Sequence, residues 1–484
     1  MNRSRQGRHK CAVIKQAGRS MQTAVHGEAT DGHLVAKVGA VASLSGLLLF
    51  GMAALISSRS ANAVPAFAQQ TGQPCKSCHV GGFGPELTPF GREFKLGGYT
   101  LRAHASVPLA AMVIASWTHT QKDQVPPPEH LSRNDNAVVD QVSIFAAGGV
   151  GSHFGGFSQV TYDGVARQWA WDNLDLRAVT QTKLFGEDSV VGLSLNNSPT
   201  VQDPWNTLPA WGFPFTDTAV SPTPDAGELI DDPLAQNVLG LTAYTWIGHK
   251  MYLEGGGYWS PAAPTLRFLG ADPADPGSIH GLAPYARVAY QTKLAGGTFE
   301  LGGNLLKAEL FPGRDRSSGL SDRYTDWGLD TSWQTGLRWG DGFSLNVRYE
   351  RERADLRASC ALELIGDGTS LGCGRYRLNE WRAAARYTLH DRLGVTLSPF
   401  SITGSRNDNV FGDSGRPDSD GLMGQVDYTL WPGGQSPFGP LVNARVGVQY
   451  TLYGKFNGRR HNFDGAGANA ADNNVLRLFS WIAF

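Results

Sequence analysis

The sequence predicts an all-β chain: an antiparallel transmembrane β-barrel of about sixteen strands, preceded by a short N-terminal segment of different character. Three observations carry this. Roughly 380 residues after about position 105 are rich in Gly and aromatics and show period-2 alternation of apolar and polar residues, with no long stretch of period 3.6. The connections between these segments alternate between short and long, which fits periplasmic turns against external loops. The chain ends on Phe484, the last member of an amphipathic strand in which Leu478, Ser480, Ile482 and Phe484 share a face.

Taken in order, residues 1–63 read as a secretory signal. A polar, basic stretch with Arg3, Arg5, Arg8, Lys10, Lys15, Arg19 and Lys37 precedes an apolar run from Val38 to Ile56, and Ala61-Asn62-Ala63 supplies the small-residue cleavage pattern. An uncleaved inner-membrane anchor is the rival reading, because the apolar run is nearly long enough to span. Without residues 1–63 the chain keeps 34 Lys/Arg against 41 Asp/Glu, a net charge of about −7, which argues against nucleic acid as a partner.

Residues 64–105 carry Cys75-Lys76-Ser77-Cys78-His79. Two cysteines separated by two residues and followed at once by histidine form the attachment pattern of a c-type haem. The two thiols of Cys75 and Cys78 add to the two porphyrin vinyl groups, and the adjacent His79 reaches the iron as proximal ligand. A zinc site would need a second Cys/His pair at ligand spacing, and the next cysteines are Cys360 and Cys373. Those two lie in one Gly-rich segment of an exported protein, so a structural loop disulfide is expected between them. A segment of about forty residues rarely builds its own core, so the haem must be packed largely against something else.

Residues 106–484 supply the strands. Val442, Ala444, Val446, Val448, Tyr450 and Leu452 oppose Asn443, Arg445, Gln449 and Thr451. Phe343, Leu345, Val347 and Tyr349 oppose Ser344, Asn346, Arg348 and Glu350. Trp381, Ala383, Ala385 and Tyr387 oppose Arg382, Arg386 and Thr388, and Val288 and Tyr290 oppose Arg287 and Gln291. In a membrane barrel the apolar face meets lipid and the charged face lines the lumen. Short links are expected at 186–188, 248–250, 295–297, 340–342 and 390–392. Long external loops are expected near 119–137, 197–235, 260–281, 311–323, 356–375, 405–418 and 455–472. Trp117, Trp171, Trp246, Trp259, Trp327, Trp339, Trp431 and Trp481 sit near strand ends and read as interfacial girdles.

Pro65-Ala66-Phe67-Ala68, Gln70-Thr71-Gly72, the Cys75–His79 motif, Pro85-Glu86-Leu87-Thr88-Pro89-Phe90-Gly91-Arg92, Phe94-Lys95-Leu96 and Gly98-Tyr99 form one block. This block resembles the fused monohaem cytochrome–porins of the outer membrane, whose best-known members oxidise extracellular ferrous iron. Beyond it the resemblance extends only to barrel architecture and length. It implies one covalent haem c inside a sixteen-stranded pore in the outer membrane of a Gram-negative bacterium. Electrons would pass from extracellular Fe(II) to a periplasmic carrier such as a blue copper protein or a soluble cytochrome c.

One haem cannot by itself bridge a hydrocarbon layer of roughly 25–30 Å, so donor, haem and acceptor must meet in the lumen or at its mouths. The sixth iron ligand is not marked: Met112, His104, His119 and His153 are the candidates, a methionine raising the potential. Arg92 and Lys95 are candidate partners for haem propionates. Asp135, Asp232, Asp272 and Asp275 are positional candidates for iron contact. The alternatives are a conduit with a different donor or acceptor, a diffusion porin with a haem plug, and a soluble periplasmic cytochrome with a β-sandwich.

Overall fold

The computed structural model describes residues 66–102, 108–207, 216–231, 233–365, 373–434, 436–438 and 442–484. The signal expected at 1–63 and the candidate ligand His104 lie outside them.

Sixteen strands close into one antiparallel barrel among these residues: β1 (Leu109–Thr120), β2 (Asn136–Val150), β3 (Phe154–Asp163), β4 (Gln168–Leu184), β5 (Glu187–Asn196), β6 (Leu239–Ile247), β7 (Met251–Trp259), β8 (Ala283–Leu294), β9 (Gly297–Phe311), β10 (Asp322–Gly336), β11 (Gly342–Asp355), β12 (Arg375–Leu389), β13 (Leu393–Gly404), β14 (Ser419–Thr429), β15 (Asn443–Lys455) and β16 (Val475–Ala483). A two-residue strand, Ser278–Ile279, adds to the edge of β9. β1 pairs with both β2 and β16, Met112 opposite Ala483 and Thr120 opposite Val475, so the sheet has no free edge. Closure satisfies every strand's backbone, the condition for a sheet to cross a bilayer.

The alternation falls as the sequence predicts. Val446, Val448, Tyr450 and Leu452 are exposed on the outside of β15, while Arg445, Gln449 and Thr451 are buried inside it. Val288 and Tyr290 face out from β8, Leu301 and Leu305 from β9, Leu397 from β13 and Val426 from β14. The inner wall carries ion pairs instead, including Arg177–Asp175, Arg287–Asp330, Arg348–Glu380, Arg386–Asp427 and Arg477–Asp140. An apolar outside around a charged inside is the reverse of a soluble sandwich. The chain is a β-barrel of the Gram-negative outer membrane.

The five short links come at one rim and the long loops at the other, with the start of β1 and the end of β16 on the short-turn, periplasmic side. Two connections break the alternation: residues 164–167 are short on the loop side, and 430–442 are long on the turn side. The Cys360–Cys373 disulfide is formed, Cα to Cα 6.2 Å, within the loop between β11 and β12.

Two expectations need correction. Trp246 and Trp481 belong to no girdle; both are buried in the lumen, Trp246 against Trp205 and Tyr252 and Trp481 against Phe83. The connection between β5 and β6 is not an external loop either, because it turns into the barrel. Its apolar Val201, Trp205, Leu229, Ile230 and Leu234 would face water if it stood outside, and all are buried. The wall supplies its backbone partners: Leu229 N donates to Glu352, Ile230 N to Asp326, and Gln449 donates to Thr216 O.

Candidate functional site

The N-terminal segment folds as three short helices, α1 (Ala66–Thr71), α2 (Cys75–Cys78) and α3 (Pro89–Leu96). In α2 the two cysteines are three residues apart, hence on one face of a single turn. His79 N donates to Cys75 O at 2.9 Å, and His79 then leaves the turn in extended conformation, bridged to Leu87. The return stretch has a local logic. Thr88 caps α3 by accepting from Gly91 N at 3.2 Å, Pro89 occupies the first turn, and Thr88 also donates to Ser77 O. Gly91 lets α3 lie directly on the motif, since a Cβ there would sit 2.3 Å from Cys78 O. Phe67 stacks on Tyr99 and meets Phe94 edge-on, so the residues flanking the motif form one small aromatic core.

This segment is held inside the barrel by contacts from around its wall. Gln70 donates to Tyr99 O and accepts from Gly149 N at 2.8 Å. Tyr99 donates to Asp175 at 2.7 Å, Tyr244 donates to Leu96 O at 2.7 Å, and Glu93 accepts from Trp246. Arg92 donates to Gln291 and Gln334, both at 3.0 Å. Asn443 donates to Gly82 O at 3.0 Å and Arg445 to Gly81 O at 3.3 Å. Lys76 pairs with Asp391 and Glu93 with His249, both partners lying in short turns, so the segment sits at the periplasmic end. The inward-turned loop meets it from the other side: Lys95 donates to Val201 O at 2.6 Å and Asp203 O at 3.1 Å, and Asn206 donates to Pro85 O. Arg92 and Lys95, the candidate partners for haem propionates, thus bolt the segment to wall and loop.

The residues of the motif fit a c-type haem. Burial pushes His79 down to about 4, the Gly84 backbone opposing and the Arg445 charge adding to the fall, so its imidazole is neutral, the form that ligates iron. Its Nδ1 is buried with no hydrogen-bond partner. Burial raises the Cys75 thiol, and burial together with Cys75 pushes Cys78 up to about 11. A redox dithiol is tuned in the opposite direction, towards a thiolate, so the pair does not read as a thiol-exchange site.

Of the candidate sixth ligands, Met112 shares a buried cluster with Phe83, Ile114 and Trp481, and its sulfur accepts from Trp481 Nε1 at 3.3 Å. His119 stands seven residues further along β1, about 23 Å away, where its Nδ1 lies 2.8 Å from Asp135 Oδ1. That places it at the loop end and takes it away from the motif. His153 lies in the β2–β3 turn, paired with Ser152 at 2.8 Å and exposed.

The residues that sequence reading did not single out are those the wall contributes: Asn443, Arg445, Trp481, Gln291 and Gln334. Arg445 stacks its guanidinium on Phe83 at 5.3 Å and pairs with Asp427. Polar residues on the inner face of β8, β10 and β15 signal a lumen, but which of them meet a segment hundreds of residues away depends on barrel register. Asp135, Asp272 and Asp275 are not gathered into one site, and Asp232 lies outside the described residues.

No protein-family model matches the sequence, and no curated relative does. Solved structures similar to the chain include outer-membrane proteins and porins. An anion-selective porin from Comamonas acidovorans has a TM-score of 0.43 and 13% identity, covering 78% of this chain and 98% of that one. OmpT of Vibrio cholerae has a TM-score of 0.41 and 9% identity over 80% of this chain and 99% of that one. Pseudomonas putida OprB has a TM-score of 0.45 and 12% identity over 78% and 94%.

Proposed function

We propose that this chain is an outer-membrane electron-transfer protein that carries one haem c on Cys75 and Cys78, with His79 as axial ligand. It takes electrons from extracellular Fe(II) and passes them to a periplasmic carrier, a blue copper protein or a soluble cytochrome c. The observation that supports this reading most is the position of the Cys75–His79 turn against the inner wall of a closed barrel, near the short turns, with residues 201–206 of the β5–β6 connection packed on the segment.

Bound haem supplies a one-electron couple. The chain's own residues do the rest. His79 presents a neutral nitrogen, Phe83 and Trp481 keep water from one side, and Arg445 places a fixed positive charge beside the motif. Such a charge favours the reduced state of a nearby centre and raises its potential. The exposed side chain of Lys76 lies by the short turns, where a soluble carrier arrives.

The test is anaerobic stopped-flow mixing of the oxidised, detergent-solubilised protein with ferrous iron, followed at the reduced-haem bands across pH. Rapid, saturable reduction is expected. Reduction by dithionite but not by iron would remove Fe(II) as donor and leave a conduit with another partner.

A second reading, a diffusion channel in which the segment is only a plug, is favoured by the charged lumen. It predicts solute flux through reconstituted protein, whereas the electron-transfer reading predicts a sealed pore.

A further inference from the structure

We propose that Glu228, Asp231 and Glu380 form a divalent-cation site in the barrel lumen. One oxygen from each lies within 4.8 Å of the others. Glu380 projects inward from β12, and the inward-turned loop brings Glu228 and Asp231 over it. The loop is fixed there by its backbone, through Leu229 N on Glu352 at 2.7 Å and Ile230 N on Asp326 at 2.8 Å.

The charges in this pocket do not balance. Arg348 binds both oxygens of Asp231, at 3.1 and 3.2 Å, and Glu380 Oε1 at 3.0 Å. Arg382 also binds Glu380 Oε1. Neither guanidinium hydrogen-bonds Glu228, which is 0% exposed and receives no donor on either carboxylate oxygen, its side-chain neighbour within hydrogen-bond reach being the carboxylate of Glu380. Glu380 Oε2 lacks one too, as does Oε1 of the neighbouring Glu350. Four carboxylates face two guanidiniums, and an unpaired buried carboxylate is costly unless a cation or a proton meets it. The free oxygens of Glu228 and Glu380 converge, which is what a cation requires. Carboxylate oxygens without a sulfur or imidazole suit hard divalent ions such as Mg(II), Ca(II) and Mn(II), with Fe(II) binding such a site somewhat more tightly than Mn(II). Asp231, whose side chain is 14% exposed, is the open edge through which an ion enters.

The site lies six residues up β12 from Arg386, the residue beside Gly81, so it stands roughly 20 Å along the strand from the motif, towards the external loops. Naming its occupant as the ferrous donor rests on the function proposed above; the cation site itself does not.

The experiment is Mn(II) binding followed by electron paramagnetic resonance on the full-length, haem-loaded protein in detergent near neutral pH. Wild type is expected to take up one Mn(II) saturably, with Fe(II) competing anaerobically. Glu228→Gln, which keeps the size of the side chain and removes a carboxylate oxygen that a cation would need, is expected to weaken uptake at least tenfold, and Asp231→Asn to do the same. Haem absorption and dithionite reduction should stay as in wild type, showing that the variants are folded. Absence of saturable uptake in wild type, as when protons alone neutralise the carboxylates, overturns the site, and so does unchanged uptake in folded Glu228→Gln. Uptake without haem reduction by iron would keep the site and sink the electron-transfer reading; iron reduction without uptake would do the reverse.

Discussion

Residue by residue, the motif and its flanks divide into groups that would hold the proposed haem and groups that hold the peptide. Cys75, Cys78 and His79 belong to the first on the proposed function, by their spacing alone. Arg92, Lys95, Thr88 and Gly91 belong to the second, although adjacency in sequence gave no way to separate them. Gly91 is the sharpest case, because any side chain there meets the Cys78 carbonyl. Gly91→Ala is expected to lift α3 from the Cys75–His79 turn at a cost of about 1–3 kcal/mol. The measurement is the urea midpoint for loss of the haem absorption shift, which should fall while barrel far-ultraviolet dichroism persists; an unmoved midpoint would show that α3 does not brace the turn.

At the scale of elements, the segment and the β5–β6 connection are two pieces of chain that meet in the lumen through Lys95. Burial lowers Lys95 to about 8, the Asp175 charge opposing. Between that value and the ordinary lysine pKa near 10.5, the folded state holds fewer protons than the unfolded state. Docking of the loop therefore strengthens as pH rises through this window and weakens as it falls towards 8. Cleavage within 197–238 by an added protease should slow from pH 8 to pH 10 in wild type. Lys95→Met should flatten that trend and speed cleavage overall, since two carbonyls lose their donor, a cost of about 1–3 kcal/mol. Equal pH trends in both proteins would exclude Lys95 as the bolt.

The strands themselves were legible, because a half-buried strand writes its two faces as alternate residues, as in Phe343 to Glu350. The inward fold of the loop was less so. Its Trp205, Leu229 and Ile230 were a usable signal, since a loop with that apolar content does not stay in water. The grouping of Glu228 with Glu380 was not legible, because residues 152 apart meet only through barrel closure.

For the whole molecule, the barrel gives the short N-terminal segment the core it cannot build alone. The segment fills the periplasmic end, the loop enters from the outer side, and the contacts of Gln70, Glu93, Arg92, Lys76 and Gly82 fall on β2, β6, β8 and β10, the β12–β13 turn and β15. Removal of residues 66–102 is expected to turn a poorly conducting barrel into an open one, read as a several-fold rise in single-channel conductance in a planar bilayer. A conductance equal to that of the intact chain would mean that the segment does not obstruct the pore.

On the proposed function, electrons cross this barrel while ions and solutes do not. This is tested most directly in proteoliposomes given external Fe(II), one batch enclosing oxidised cytochrome c and the other enclosing a membrane-impermeant ferrous chelator. The account predicts reduction of the enclosed cytochrome and no colour from the enclosed chelator. A coloured chelator would show iron passing through the pore, and a cytochrome that stays oxidised would show that no electron does; either contradicts the account.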